Sequence, residues 1–159
     1  RLSPPGHAGP SRAGPIMTAM LDHEPPPEGL AACLESHGVR PTAQRLRVAA
    51  LLLERPQHMT AEQVLAGLRA GGCRISKATV YNTLNLFAAR GVIRQLAVDG
   101  DRAWFDSNVA PHYHYQDVAT GQLTDLETPA VRFERLPPAP DGMEYAGIDL
   151  VIRLRRRSG

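Results

Sequence analysis

Cysteine is scarce in this sequence, since Cys33 and Cys73 are the only two among 159 residues and no C-x-x-C pair occurs. This excludes a cysteine-rich zinc module and disfavours a scaffold held by disulfides. Aromatic residues make up only 5% of the chain, so its core must consist mainly of Leu, Val, Ile and Ala. No apolar run approaches the roughly 18 residues of a membrane span, and nothing resembles a secretory signal. We therefore expect a cytoplasmic protein without a membrane partner.

Each half of the chain is poor in charges of one sign. Residues 37–102 carry ten Lys or Arg against four Asp or Glu, a balance of +6, whereas residues 103–152 carry two against eight, a balance of −6. This asymmetry favours contact of the first half with a polyanion and a different role for the second half.

Four segments combine helical spacing of apolar residues with local signals for the ends of helices. The first ends at Gly38, and Thr42 caps the second. Thr60 and Gln63 form a capping box before the third, and Ser76 caps the fourth. A hairpin about a DGD turn then pairs VIRQLAV with RAWFD. Helices followed by such a hairpin are typical of a winged helix-turn-helix domain.

The chain is accordingly predicted to be an α+β protein in two parts. Residues 25–102 are expected to form the winged-helix domain, which binds DNA, and residues 103–159 a small β-rich domain. Proline, glycine and serine dominate the start of the chain. We interpret residues 1–24 as a disordered leader or an expression remnant, with Met17 or Met20 as a plausible native start.

The β-rich part is predicted to form a small sheet. A hairpin about Thr120 and Gly121 is expected to pair HYHYQDV with GQLTDLE. Strict alternation predicts a further strand whose apolar residues are Ile148, Leu150, Ile152 and Leu154. Because little helix accompanies this sheet, its apolar face is expected to pack against a second subunit. The alternative is that the sheet lies on the helices of its own chain.

The fourth predicted helix, from Ser76 to Arg90, has a polar face that folding does not require. A tyrosine on this face suits contact with thymine methyl groups and base edges in the major groove. The alternative is an ordinary solvated face. The predicted DNA-binding residues are Arg40, Arg45, Ser76, Lys77, Tyr81, Asn82 and Asn85, and Arg47 and Arg74 are further candidates for phosphate contacts.

The predicted hairpin also carries candidate metal ligands. His112 and His114 point to one face of a strand, with Cβ atoms roughly 7 Å apart. A turn centred on Thr120 and Gly121 places Asp125 opposite Gln116, so that its carboxylate shares the face of the histidines. Two imidazoles and a carboxylate suit Fe, Mn or Zn. The alternatives are a polar hairpin without metal and the facial triad of a non-haem iron enzyme. The chain offers no large barrel or evident substrate pocket, so we do not expect an enzyme.

Four stretches together resemble the ferric uptake regulator family of metal-responsive repressors, namely GVRPTAQRLRV, MTAEQVLAGL, ISKATVYNTLNLF and GVIRQLAVDGDRAWFD. The resemblance runs from about Leu30 to the C-terminus, and ATVYNTL is its most specific element. Within the family, RAWFDSNVAPHYHY and the ending PPAPDGMEYAGIDLVIRLRRR are similar to the iron response regulator branch, Irr. That branch links iron and haem status to transcription.

The resemblance implies a homodimer, or a higher oligomer, that binds AT-rich palindromic operators in double-stranded DNA. The family's base-contacting tyrosine matches Tyr81, and the basic residue that it sends into the minor groove matches Arg40. Asn82 stands where many members have arginine, so operator preference is expected to differ. Residues 103–159 then form a dimerisation domain that senses a metal.

The resemblance also completes a ligand set. The family's regulatory site takes a histidine before the third helix and a carboxylate after the wing. The implied ligands are His58, Asp106, His112, His114 and Asp125. They imply Fe(II) or Mn(II), with Zn as a substitute in crystals. One ion shared by both domains would fix the angle between them, and DNA and metal would then strengthen each other's binding.

The cysteines and histidines of the chain bear on two further cofactors of the family, a structural zinc ion and haem. No structural zinc is expected, because Asp117 and Thr120 stand where its first C-x-x-C pair would lie. The Gly-Cys-Pro haem motif of some Irr proteins is missing, but His112 and His114 stay candidates for haem binding. The same ligands are similar to those of peroxide-responsive members, which use iron to oxidise their own histidines. Peroxide sensing is therefore the alternative function.

Overall fold

The structure, a computed structural model, describes residues 29–99, 102–126 and 131–157. The predicted leader at residues 1–24 lies outside them. The helices are α1 (Leu30–Ser36), α2 (Ala43–Leu53), α3 (Ala61–Ala70) and α4 (Lys77–Ala89). The strands are β1 (His58–Thr60), β2 (Arg94–Asp99), β3 (Arg102–Asp106), β4 (Tyr113–Asp117), β5 (Leu123–Leu126) and β6 (Val151–Leu154). Helices followed by small sheets confirm the predicted α+β class.

Side-chain caps fix where three of the helices begin, as the sequence predicts. The hydroxyl of Thr42 accepts a hydrogen bond from the third amide of α2, and that of Ser76 does the same for α4. Thr60 and Gln63 form the reciprocal capping box of α3. The helices enclose one apolar core with Phe105 of β3, and its fully buried members include Leu34, Val48, Leu52, Val64, Leu68, Val80, Leu84 and Phe87.

The first sheet has the strand order β1-β3-β2, with every pair antiparallel. It joins the predicted wing hairpin to the short β1 strand that precedes α3. Phe105 faces the helical core, whereas the neighbouring Trp104 and Asp106 point to the opposite face. The predicted domain division between residues 102 and 103 stays a prediction, and the chain leaves this sheet after Asp106. We call residues 29–99 and 102–106 the N-terminal lobe.

The second sheet has the order β5-β4-β6 and belongs to the C-terminal lobe, residues 112–126 and 131–157. The predicted β4–β5 hairpin is present, but its predicted register is wrong. His114, not Gln116, lies opposite Asp125, and Gln116 pairs with Leu123. The cause is the position of the turn, because the Gln116–Leu123 pair centres it between Ala119 and Thr120, one residue earlier than predicted. Gly121 within the turn takes a positive φ of 74°. Since the register differs by two residues, Asp125 keeps its predicted face.

The last predicted strand is shorter than its alternating apolar residues suggested. β6 begins only at Val151 and runs parallel to β4. Asp149 instead forms an ion pair with Arg94 of the first sheet, at 2.8 Å between Oδ1 and Nη2. A side-chain contact with the other lobe therefore stands where strand pairing was predicted. Within residues 131–150 the structure contains no helix.

The two sheets lie face to face. Leu96 and Trp104 of the first sheet pack with Leu123 of the second to form a small buried cluster, and Val98 and Val151 flank it. Five polar residues lie on the same facing surfaces and are described below. Among the described residues, no helix is long and apolar enough to span a membrane.

Candidate metal centre

Five side chains from both lobes converge between the sheets. His58 opens β1, and Asp106 ends β3 directly opposite it in the register. His114 and Asp125 are likewise paired across the hairpin of the second sheet, and His112 lies immediately before β4. All five sequence-predicted metal ligands are thus brought together. Each offers one ligand atom, and these atoms lie within 4.8 Å of one another.

The three imidazole nitrogens and two carboxylate oxygens lie close to one another. Nε2 of His58 lies 3.0 Å from Oδ1 of Asp125, and Nε2 of His112 lies 3.0 Å from Oδ2 of Asp106. Nε2 of His114 is 3.4 Å from the same Asp106 oxygen. The imidazole rings of His112 and His114 meet edge to face, with centroids 4.4 Å apart. The three nitrogens and two oxygens therefore surround one small volume.

The cluster fits a divalent cation better than a hydrogen-bond network. Nε2 of His58, Nε2 of His112 and Oδ1 of Asp125 are buried, yet none has a hydrogen-bond partner of acceptable geometry. Buried polar atoms without partners are rare in native proteins. Metal–ligand bonds of about 2.0–2.2 Å span about 4.4 Å between opposite ligands, close to the spread of these atoms. Imidazole and carboxylate together suit Mn, Fe or Zn.

In three of the ligands, Asp106, Asp125 and His112, the second polar atom of the side chain is hydrogen-bonded elsewhere. The first polar atom of each therefore points into the cluster. The backbone N–H of Asn108 donates to Oδ1 of Asp106 at 2.8 Å, and its side-chain amide donates to Oδ2 of Asp125 at 3.3 Å. Nδ1 of His112 lies 2.7 Å from the carbonyl oxygen of Ala110. As a donor there, it leaves the Nε2 lone pair for a metal.

Sequence reasoning missed Asn108. The only local signal was its place two residues after Asp106, where a side-chain carboxylate commonly accepts a backbone N–H in an Asx turn. That signal predicts the first contact. It does not predict the contact with Asp125, which comes from another strand.

Asp106 is the electrostatic centre of the cluster. Its side chain is fully buried, and burial alone raises the pKa of a carboxyl group. The imidazoles of His114 and His58 close to the carboxylate, with the hydrogen bond from the backbone of Asn108, outweigh that cost, so the pKa of Asp106 lies well below its ordinary value. The carboxylate is therefore ionised at neutral pH, as a metal ligand must be.

The predicted DNA-binding residues lie at a distance from this cluster along the helices. Lys77 and Asn82 are exposed on the first half of α4, and Tyr81 between them is half-buried. Arg45 on α2 donates to the backbone carbonyl of Arg40 at 2.9 Å. These groups share the basic N-terminal lobe.

Asn85 differs from the other predicted DNA contacts. It lines an open groove of about 820 Å³ together with Arg94 and Asp149, where the two lobes meet. Its side chain is exposed, but the groove belongs to the contact between the lobes.

Comparison with known proteins agrees with this architecture. The ferric uptake regulator family model matches residues 36–151. The chain is 32% identical over 117 residues to the peroxide-responsive repressor PerR of Staphylococcus aureus, covering 73% of this chain and 78% of that protein. The ferric uptake regulator of Pseudomonas aeruginosa with manganese is similar in structure, with a TM-score of 0.60, 25% identity, and coverage of 80% of this chain and 97% of that one.

The Vibrio cholerae ferric uptake regulator shares the fold, with a TM-score of 0.61 and 21% identity, covering 79% of this chain and 98% of that one. Members of the matching family are metal-responsive transcription regulators and not enzymes, so the iron-enzyme hypothesis is set aside. On the family match and the shared identity, this chain belongs to the ferric uptake regulator family.

Proposed function

We propose that this protein is a transcriptional repressor of genes for iron homeostasis. It binds AT-rich palindromic operators as a homodimer, with Fe(II) or Mn(II) as its signal. The observation that carries the proposal is the buried cluster of three imidazoles and two carboxylates between the lobes. The similarity to a regulator solved with manganese supports the choice of metal.

The ligands connect the lobe that carries α4 to the lobe that carries the second sheet. His58 and Asp106 belong to the first lobe, and His112, His114 and Asp125 to the second. A bound divalent cation supplies the positive charge that offsets the two carboxylates. By holding it jointly, the side chains fix one angle between the lobes, and so the spacing of the two α4 helices in a dimer. Metal that favours this angle binds more tightly when DNA is bound.

A second copy is the expected partner of the C-terminal lobe. Large apolar side chains are exposed within residues 131–150, where the structure contains no helix; they are Phe133, Leu136, Met143, Tyr145 and Ile148. Exposed apolar surface of this kind is typical of subunit contacts. Two copies would present two α4 helices, which suits a palindromic site.

Titration of DNA binding against metal tests the proposal. A duplex selected from a random library by the Mn(II)-loaded chain is labelled, and its anisotropy is followed without metal, with Mn(II) and with Fe(II). We expect metal to tighten binding in the native chain. His58→Ala should abolish that response, whereas His37→Ala, which changes a histidine outside the cluster, should retain it. Equal responses of the two variants would refute the sensing role of the cluster.

Peroxide sensing is the second candidate, and the similarity to PerR favours it. The three buried imidazoles beside an iron site are the expected targets. The O–O bond of hydrogen peroxide would break at the iron, so that one oxygen atom adds to the ring of His58 or His112 and the other leaves as water, and the oxidised chain would release DNA. Peptide mass spectrometry after peroxide treatment of the Fe(II) protein should then show one added oxygen at either residue. With Mn(II) in place of Fe(II), the histidines should stay unmodified.

Haem binding by His112 or His114, as the resemblance to the Irr branch implies, is the weakest candidate. Both imidazoles are buried, with side chains 7% and 3% exposed, and their Nε2 atoms face the carboxylates. An axial ligand needs space for a porphyrin above its nitrogen, which this arrangement does not provide. A Soret shift on adding haem to the purified protein, lost in His112→Ala, would reverse this assessment.

A further inference from the structure

Glu62 lies on α3 beside the residues of α4 that are proposed to contact DNA. The hydroxyl of Tyr81 donates a hydrogen bond to Oε1 of Glu62. Nζ of Lys77 lies 3.8 Å from the same oxygen and 5.4 Å from the centroid of the Tyr81 ring. One carboxylate thus contacts both a candidate base-reading ring and a candidate phosphate-binding ammonium.

Because Glu62 engages the hydroxyl proton of Tyr81, only the exposed part of the tyrosine ring is left for contact with DNA. Tyr81 packs one part of its ring against the helical core, Lys77 lies over the ring, and Glu62 takes the proton of the hydroxyl. Three directions of contact hold the ring in one orientation. A ring held in this way is suited to apolar contact with thymine methyl groups.

Glu62 is charged in this setting. The hydrogen bond from Tyr81, with Lys77 and Arg102 nearby, keeps the pKa of Glu62 below its ordinary value, while the same hydrogen bond raises the pKa of Tyr81. A fixed negative charge beside a DNA-contacting surface repels phosphates of any sequence. Glu62 also attracts the ammonium of Lys77, at 3.8 Å, and so competes with the DNA phosphates for it. This competition lowers the affinity for DNA of any sequence.

We propose, on the basis of the proposed function, that Glu62 is a positioning residue for Tyr81 that sets the selectivity of DNA binding. It orients the ring that reads the operator and opposes attachment to random DNA. Loss of the hydrogen-bond acceptor at position 62 should therefore lower the ratio of specific to random affinity. Loss of its charge alone should change both affinities together.

The two effects of Glu62 are separable by choice of variant. Glu62→Ala removes both the charge and the hydrogen-bond acceptor, whereas Glu62→Gln removes the charge and keeps an acceptor for Tyr81. Tyr81→Phe removes the hydroxyl and keeps the ring. Glu35→Ala is the matched control, since Glu35 is an exposed carboxylate on α1 and its loss alters the net charge by the same amount.

The experiment measures affinity of the full Mn(II)-loaded chain for a library-selected duplex and for random-sequence DNA. Glu62→Ala should lower the ratio of the two affinities by about fivefold or more, the lower end of the cost of one mismatched base pair. Glu62→Gln should keep the ratio while both affinities rise. In both variants the salt dependence of random binding should steepen by about one phosphate contact per subunit as Lys77 is released.

A double-mutant cycle tests whether Glu62 acts through Tyr81. Tyr81→Phe should lower the ratio as Glu62→Ala does, and the double variant should show no further loss. Additive losses would overturn the proposal, as would a ratio that Glu62→Ala shares with Glu35→Ala. Loss of preference at a single C·G pair that only Glu62 variants show would instead assign a direct base contact. A native chain that selects no duplex would overturn the proposed function itself.

Discussion

Asn108 determines which oxygens of the two carboxylates face the centre of the metal cluster. A carboxylate can present either oxygen to a cation. A hydrogen bond to one oxygen orients the carboxylate so that the other faces the cation. Asn108 engages one oxygen of Asp106 through its backbone and one of Asp125 through its side chain. Its own Oδ1 accepts the N–H of Ala110 at 3.2 Å, which orients the amide. A single residue therefore couples the carboxylates of the two lobes.

Substitution of the Asn108 side chain should weaken metal binding without removing a ligand. In Asn108→Ala the backbone contact to Asp106 persists, but Asp125 loses its donor. Substitutions of groups that orient ligands typically cost 10–100-fold in metal affinity, and we expect a loss of about that size for Mn(II) by competition with a fluorescent chelator. Gln122→Ala removes an exposed amide in the β4–β5 turn and should bind as the native chain does. A native-like affinity of Asn108→Ala would show that the carboxylates orient themselves.

The residues of the site differ in how far the sequence predicts them. Alternation along a strand is local, so the shared face of His112, His114 and Asp125 follows from parity even though the predicted register is wrong by two residues. His58 and Asp106 come from another sheet. No spacing rule relates the two sheets, and only the family resemblance pointed to these ligands.

At the scale of elements, β1 and α3 form one continuous unit. Thr60 is both the last residue of β1 and the N-cap of α3, and His58 lies two residues before it. The position of a metal ligand thus depends on the cap of a helix. Thr60→Ala removes the hydroxyl that accepts the N–H of Gln63 at 3.2 Å, and loss of such a cap costs about 0.5–2 kcal/mol.

We therefore expect Thr60→Ala to lower the free energy of unfolding by about 1 kcal/mol and to reduce Mn(II) affinity as well. Urea denaturation of the metal-free chain measures the first effect, and chelator competition the second. Thr124→Ala changes an exposed threonine of β5, and should leave both quantities nearly unchanged. If Thr60→Ala lost stability but kept native metal affinity, the cap would be independent of the position of His58.

The caps of the helices were predictable and the extent of the last strand was not, for one physical reason. A cap is a contact between residues three apart, so Thr42, Thr60 and Ser76 carry their signal in the sequence beside them. Strand β6 depends on which residues reach β4, more than 30 positions earlier in the chain. The segment before β6 instead contacts the other lobe through the Arg94–Asp149 ion pair. The alternation of apolar residues does not predict this contact.

In the whole molecule, contacts of several kinds join the lobes, among them a hydrogen bond from Arg153 to the carbonyl oxygen of Val98 at 3.4 Å. The metal ligands lie at one end of the facing sheets, and Leu96, Trp104 and Leu123 form an apolar cluster beside them. The Arg94–Asp149 pair adds a contact at the surface, where one partner is 72% exposed, so its contribution is small. The three side chains of the apolar cluster are buried, so we expect the cluster to supply much of the docking free energy that does not require metal. Such docking holds ligands of both lobes near their final positions before a cation arrives.

This division of roles predicts that Leu123, which ligates nothing, controls metal affinity. Its side chain is 4% exposed, and Leu→Ala at a buried position costs about 2–5 kcal/mol. When docking of the lobes is weakened, part of the free energy of metal binding is used to restore it. Each ~1.4 kcal/mol used in this way lowers the metal affinity tenfold. We expect Leu123→Ala to bind Mn(II) at least about tenfold more weakly, and small-angle scattering to show a more extended metal-free chain.

Val118→Ala is the matched control for this prediction, because Val118 is 51% exposed and lies outside the apolar cluster. It should retain native Mn(II) affinity and native dimensions. Circular dichroism should show that both variants keep their helices, since the core around α2, α3 and α4 contains neither residue. If Leu123→Ala became extended but bound Mn(II) as tightly as Val118→Ala, the ligands of one lobe would suffice. The sheet contact would then have no part in sensing, because metal could not select the angle between the lobes.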